Sequence, residues 1–232
     1  MGKPARILAI VTSADRYRKT GHRTGLWLGE LTHVYDALTA AGRAVDIRSV
    51  AGGRVPLDPV SLMPPVLKLG DTDERYEDPA FMALLDDTAT LAGVEAEHYD
   101  AVFLAGGHGA MFDFLGGDVA RVVGAFADAG KVVAAVCHGP VGLLDVPLAA
   151  GGTLLQGRRV TGFSWTEEKA AGRADAVPFS LQRRLETEAG AYRRARLPMG
   201  RKVVVDGNLI TGQNPTSAAG VGRAIVKALK RR

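Results

Sequence analysis

The chain has 232 residues, 47% of them hydrophobic and 23% charged, with a net charge of +4; this suits one domain with a substantial core. Basic residues are scattered apart from Arg193-Arg194 and the Lys230-Arg231-Arg232 tail, with no basic stripe among aromatics, which argues against nucleic acid. No apolar run approaches the ~20 residues of a membrane span, and a lone cysteine excludes an internal disulfide framework and fits a reducing, cytoplasmic compartment.

Met1-Gly2-Lys3-Pro4 leads directly into an apolar strand pattern over 6–12, so no signal peptide is expected. Residues 13–24 are polar and basic and read as a loop. Over 25–38 the spacing of Leu31, Val34 and Leu38 predicts a helix, with Glu30 near its start, where a carboxylate favours a helix N-terminus. A second strand is expected over 44–50. The proline-rich stretch 51–78 reads as an irregular inserted loop, of a length that usually serves function. Helix is predicted over 81–91 and strand over 99–105.

That third strand runs into Gly106-Gly107-His108-Gly109. Glycines directly after a buried strand let another group approach the backbone. The dinucleotide fingerprint G-x-G-x-x-G is absent and so is a phosphate-loop Lys-Ser/Thr pair, so an oxyanion hole is the better reading. A helix over 119–129 follows. Residues 132–136 (Val-Val-Ala-Ala-Val) are apolar without alternation, a strand buried on both faces, and they end in Cys137-His138-Gly139-Pro140. Pro140 suits the first turn of a helix. Cys137 therefore sits at a strand-to-helix elbow, a geometry that pushes a nucleophile into the open, and a helix N-terminus and a neighbouring imidazole both favour its thiolate.

Beyond the elbow a short helix passes Leu143 and Leu144. A strand pair is expected around 153–155 and 159–161, a helix over 179–188, a hairpin from 202–205 and 209–211 turning at Asp206-Gly207, and a closing helix over 218–229. Strands alternate with helices through the first two thirds. The fold class is α/β: a three-layer, flavodoxin-like sandwich whose mostly parallel sheet carries helices on both faces. Ligands in such sheets bind beyond the carboxyl ends of strands, where Cys137, Gly107 and the segment carrying Glu30 all fall. His22 and His98 read as surface residues, His33 as packing, and Trp27 and Trp165 as packing. His108 lines a pocket or caps the glycine turn. No His/Asp/Glu group shows metal-ligand spacing.

The elbow Ala135–Pro140, with 106–109 and Glu30, resembles the ThiJ/PfpI superfamily, the class I glutamine amidotransferase-like fold. Thr24-Gly25, His33, Tyr35-Asp36, the run 56–61, Thr161-Gly162-Phe163, Glu168, 177–179 and 211–215 extend the resemblance to its heat-shock chaperone/glyoxalase branch, over nearly the whole chain as one domain. The resemblance implies Cys137 as nucleophile, His138 as its acid/base, Glu168 as the acid orienting the histidine (Glu167 is adjacent), and Glu30 as a protonated carboxyl against the sulfur. It places Gly107, His108 and His138 at the oxyanion and substrate. The implied activity is the glyoxalase III, or lactate dehydratase, reaction on a small α-oxoaldehyde, without metal or organic cofactor, in a homodimer; relatives are also described as protein deglycases and chaperones. The alternatives are an amidase or peptidase with the same elbow, and a redox-sensing chaperone without turnover.

Overall fold

A computed structural model describes residues 5–68 and 71–231; the opening 1–4 segment and the last residue of the basic tail lie outside the described residues. In chain order the elements are β1 (Arg6–Val11), α1 (Leu28–Ala40), β2 (Ala44–Ser49), α2 (Pro64–Leu67), α3 (Thr72–Glu77), α4 (Pro79–Ala83), β3 (Ala101–Leu104), α5 (Ala110–Asp113), α6 (Gly117–Asp128), β4 (Val132–Val136), β5 (Arg159–Val160), α7 (Trp165–Ala170), α8 (Leu181–Glu188), β6 (Ala191–Tyr192), β7 (Val203–Asp206), β8 (Leu209–Gly212) and α9 (Ala218–Leu229).

The six-stranded sheet runs β2-β1-β3-β4-β8-β7. All neighbours are parallel except the antiparallel β7–β8 pair at one edge. Every residue of β3 and β4 is buried, as an unalternating Val/Ala run demands when both faces are covered. Helices α1 and α9 pack against each other, with α9 over β4 and β8, and α6 covers β3 and β4 from the other side. Gly222 of α9 permits that close approach: a methyl there would lie 2.7 Å from the Ala37 side chain. Strand order reverses at β1, between β2 and β3, and the carboxyl ends of β1, β3 and β4 open onto one crevice.

Four expectations need correction. The 51–78 stretch is not structureless: a 3₁₀ turn at Pro59–Leu62 precedes α2 and α3, and Asp58 caps that turn by accepting from the Val60 N–H. The helix expected over 81–91 stops at Ala83, because Thr88 instead exchanges backbone hydrogen bonds with Gly53 and donates its hydroxyl to Ser49. The pair expected around 153–155 and 159–161 does not form; Thr153 bridges to Pro147, and β5 pairs in parallel with β6. The last hairpin turns at Gly207-Asn208, since Asp206 pairs with Leu209.

Candidate active site

Cys137 follows β4 directly, and the chain bends sharply there. Its φ is 59°, the left-handed region that costs a non-glycine residue roughly 1–2 kcal/mol. Two backbone hydrogen bonds hold the bend. The Cys137 N–H donates to the Gly212 carbonyl at 2.9 Å, and its carbonyl accepts from the Phe163 N–H at 2.8 Å. Gly139 is required two residues on: a Cβ would sit 2.4 Å from the Leu104 carbonyl oxygen. The bend turns the adjacent side chains toward each other, so that the Cys137 sulfur lies 3.3 Å from His138 Nδ1.

From that imidazole a line of hydrogen bonds continues. His138 Nε2 lies 2.8 Å from one Glu168 oxygen, and His108 Nε2 lies 2.7 Å from the other. An ionised Glu168 can only accept, so both Nε2 atoms carry protons and a neutral His138 presents a bare Nδ1 to the thiol. Burial, then the neighbouring His108, lowers the His138 pKa against the upward pull of Glu168. Burial alone would raise the Glu168 carboxyl, but the two imidazoles, His138 first, hold it well below the usual carboxylate range. The imidazole is therefore neutral near pH 7 and free to take a proton.

The sulfur itself departs from expectation. Cys137 is only 3% exposed, so the elbow buries the thiol instead of presenting it. The element after it is a 3₁₀ turn at Gly139–Leu143, not a helix long enough to lower the thiol pKa. Burial, followed by Glu30, pushes that pKa well above its usual value. Glu30 stands in the first turn of α1 but points inward, against the Cys137 thiol and the Gly106 amide. Neither of its oxygens completes a hydrogen bond of full geometry among the described residues. Desolvation raises its pKa from 4.5 to about 8, so the carboxyl is protonated at neutral pH.

The backbone around the sulfur is close-packed. A Cβ on Gly106 would lie 2.3 Å from Glu30 Oε2 and 2.9 Å from the His138 nitrogen, and one on Gly107 (φ 109°) would meet the Gly25 carbonyl oxygen at 2.3 Å. Among the described residues, neither the Gly107 nor the His138 N–H donates to a protein acceptor. Two free amides beside a nucleophile can receive an oxyanion. Of the two adjacent acids, Glu168 faces the imidazoles. Glu167 is structural: it forms a capping box with Ser164 at the start of α7 and accepts from Gln213, Asn214 and the Met199 N–H.

A cavity of about 270 Å³ opens beside the sulfur; Gly107, His108, Cys137 and His138 are in its wall, with Tyr17, Trp27, Phe163 and Arg173. Trp27 thus lines the site and is not only a packing residue. His108 does more than cap a turn, because it shares Glu168 with His138 and their ring centroids are 4.3 Å apart. Tyr17 and Arg173 escaped sequence reading. Tyr17 is the one aromatic in the polar 13–24 loop, and that was the available signal. The Ser164-x-x-Glu167 spacing likewise announces α7, which brings Glu168 to the site. Of the remaining histidines, His33 Nε2 meets the Thr72 hydroxyl at 3.2 Å, and His98 is exposed beside Glu95. Linear spacing gave no metal-ligand group, but two groups among the described residues offer ligand atoms within 4.8 Å of one another: exposed Glu95, Glu97 and His98, and buried His108, His138 and Glu168, which folding brings together. In the buried group both imidazoles bond to Glu168.

A sequence model of the DJ-1/PfpI family matches residues 28–228. The chain is 31% identical to the glutathione-independent glyoxalase HSP31 of Saccharomyces cerevisiae, with 97% of each chain covered. The crystal structure of glyoxalase III from Candida albicans superposes with a TM-score of 0.88 at 26% identity, covering 97% of each chain. The Francisella tularensis Rapid Encystment Protein 24 KDa superposes equally well, TM-score 0.88 at 36% identity, over 97% of this chain and 99% of that one.

Proposed function

The chain belongs to the DJ-1/PfpI family, and from that premise we propose that it is a glutathione-independent glyoxalase, converting methylglyoxal and similar small α-oxoaldehydes to 2-hydroxy acids. The observation that carries the reading is the line from a buried thiol through a neutral imidazole to an ionised carboxylate, Cys137–His138–Glu168. The relatives named as glyoxalases over nearly the full length support it.

Because burial keeps the proton on sulfur, the thiolate forms as it attacks: His138 Nδ1 takes the thiol proton while sulfur bonds to the aldehyde carbon. The aldehyde oxygen is left as an alkoxide, which accepts from the Gly107 and His138 amides and takes up a proton to give the hemithioacetal. His138, having returned its proton to the alkoxide, then removes the proton from that carbon, giving an enediol, and a proton returned to the neighbouring carbon leaves a thioester on Cys137. Water cleaves the thioester, restoring the thiol and releasing the hydroxy acid. The sum is substrate plus one water, with no external oxidant or reductant. Protonated Glu30 donates toward the sulfur without adding a second negative charge. Glu168 fixes the tautomer and orientation of His138 and steadies the imidazolium. His108, Nε2 on Glu168, holds that carboxylate in place. The steps call on no metal or organic cofactor.

The rest of the reading is one domain carrying 51–78 as an insertion, a homodimer and a cytoplasmic location, the last two supported by family resemblance and by the lone cysteine. No helix among the described residues is long and apolar enough to cross a membrane. The test is lactate formation from methylglyoxal by purified protein with no added thiol. Lactate should appear in step with substrate loss and vanish in Cys137→Ala. Turnover that survives Cys137→Ala, or that requires glutathione, would overturn the proposal.

A further inference from the structure

Arg173 lies in the cavity wall, two residues beyond the C-cap of α7, with its N–H donating to the Glu168 carbonyl at 3.1 Å. The short segment that supplies Glu168 therefore also positions this guanidinium. Its Cζ sits 5.4 Å from the centroid of the Tyr17 ring, and Tyr17 is itself buried against His108. Burial, first of all, keeps the Tyr17 phenol protonated, so the ring offers the cation its π face and no charge. Among the described residues the guanidinium makes no hydrogen bond and no ion pair; the ion pairs of the other arginines lie elsewhere.

The acids of the same wall are already served. Asp58 accepts from the Thr24 hydroxyl at 2.8 Å and from the Val60 N–H at 2.9 Å, and Glu167 takes the donors named above. Arg173 is left as the charge of the cavity with no hydrogen-bond or ion-pair partner among the described residues. Methylglyoxal carries no charge to meet it. The five heavy atoms of that substrate also leave much of the 270 Å³ unfilled, a volume that about nine water molecules of roughly 30 Å³ each would occupy. A guanidinium with a free fork beside unfilled space matches a carboxylate, which it binds with two parallel hydrogen bonds.

We propose that the site is shaped for α-oxoaldehydes whose far end bears a carboxylate, with Arg173 binding that end while the aldehyde carbon meets Cys137. This rests on the glyoxalase reading and adds the substrate class. The experiment compares a five-carbon α-oxoaldehyde ending in carboxylate with its analogue ending in methyl, in wild type, Arg173→Leu and Arg173→Lys. In wild type, kcat/KM should favour the carboxylate by about tenfold, the worth of a charge-assisted hydrogen bond. The ratio should fall to about one in Arg173→Leu and stay above one in Arg173→Lys. A wild-type ratio of one or less, or a ratio that survives Arg173→Leu, would refute the assignment. Calorimetric binding of both compounds to Cys137→Ser separates the two ideas. Tighter binding of the carboxylate, lost on adding Arg173→Leu, supports the anion site even if neither compound is turned over, in which case only the glyoxalase reading falls; equal binding refutes the anion site whatever the turnover.

Discussion

The chemistry depends on two protons being where burial puts them. Glu30 has an unfolded-state pKa of 4.5 and a folded value of about 8. The folded state therefore binds the extra proton across that window. Its relative stability is fully present below pH 4.5 and is lost as pH rises toward 8, at about 1.4 kcal/mol per unit. Glu30→Gln has no proton to lose, so its unfolding free energy should gain on wild type as pH rises from 5 to 8, and the gap should stop widening above about 8. Denaturant melts at four pH values across this window check it; a gap constant with pH would mean the carboxyl is not held neutral. At Cys137 the strain is in the backbone, with φ at 59°. Glycine is ordinarily less stabilising than alanine by roughly 0.5–1 kcal/mol. Here Cys137→Gly should be at least as stable as Cys137→Ala, since only glycine takes the bend without penalty. Thermal unfolding of the two inactive variants decides it.

The site is assembled by elements that stop abruptly. β4 ends in the bend, the 3₁₀ turn at Gly139–Leu143 leaves no room for a side chain at its first residue, and α7 begins on a capping box that faces Glu168 toward the imidazoles. Gly139→Ala would push a methyl against the Leu104 carbonyl oxygen 2.4 Å away. We expect a loss of about 1–3 kcal/mol from overpacking, and a fall in kcat/KM of up to about a hundredfold as sulfur and imidazole move out of register. Unfolding and steady-state rates on the same preparation test both; normal activity at reduced stability would uncouple the elbow from the chemistry. Elements whose signal is local are readable in the chain. The unalternating 132–136 run, the helical spacing after Gly25 and the closing helix at 218–229 all appear within a residue or three of their expected places. Those that missed depend on partners far away. Thr88 is drawn out of a helix by Gly53 and Ser49, and β5 finds β6 some thirty residues on.

At the scale of the molecule, five separate segments converge on one site: the 13–24 loop, the start of α1, the turn after β3, the elbow, and α7 with the residues that follow it to Arg173. The parallel sheet does this by aligning the carboxyl ends of β1, β3 and β4. Sequence reading reached Cys137, His138, Glu168, Glu30, Gly107 and His108, because each follows a strand, opens a helix or matches a family motif. It did not reach the burial of the thiol, the sharing of Glu168 between two imidazoles, or an Arg173 guanidinium that has no ion pair among the described residues. Those are properties of packing across sequence separations of thirty to sixty residues. The neutral state of Glu30 is expected only through the family resemblance, since desolvation is a property of everything around the group. The whole arrangement turns on a covalent bond forming between this sulfur and the aldehyde. Rapid quenching of the enzyme with methylglyoxal, followed by mass spectrometry of the Cys137 peptide, should find one substrate equivalent on the sulfur early in turnover, accumulating in a Glu168→Gln variant that releases product slowly. Steady lactate production with Cys137 unmodified at every quench time would contradict the account.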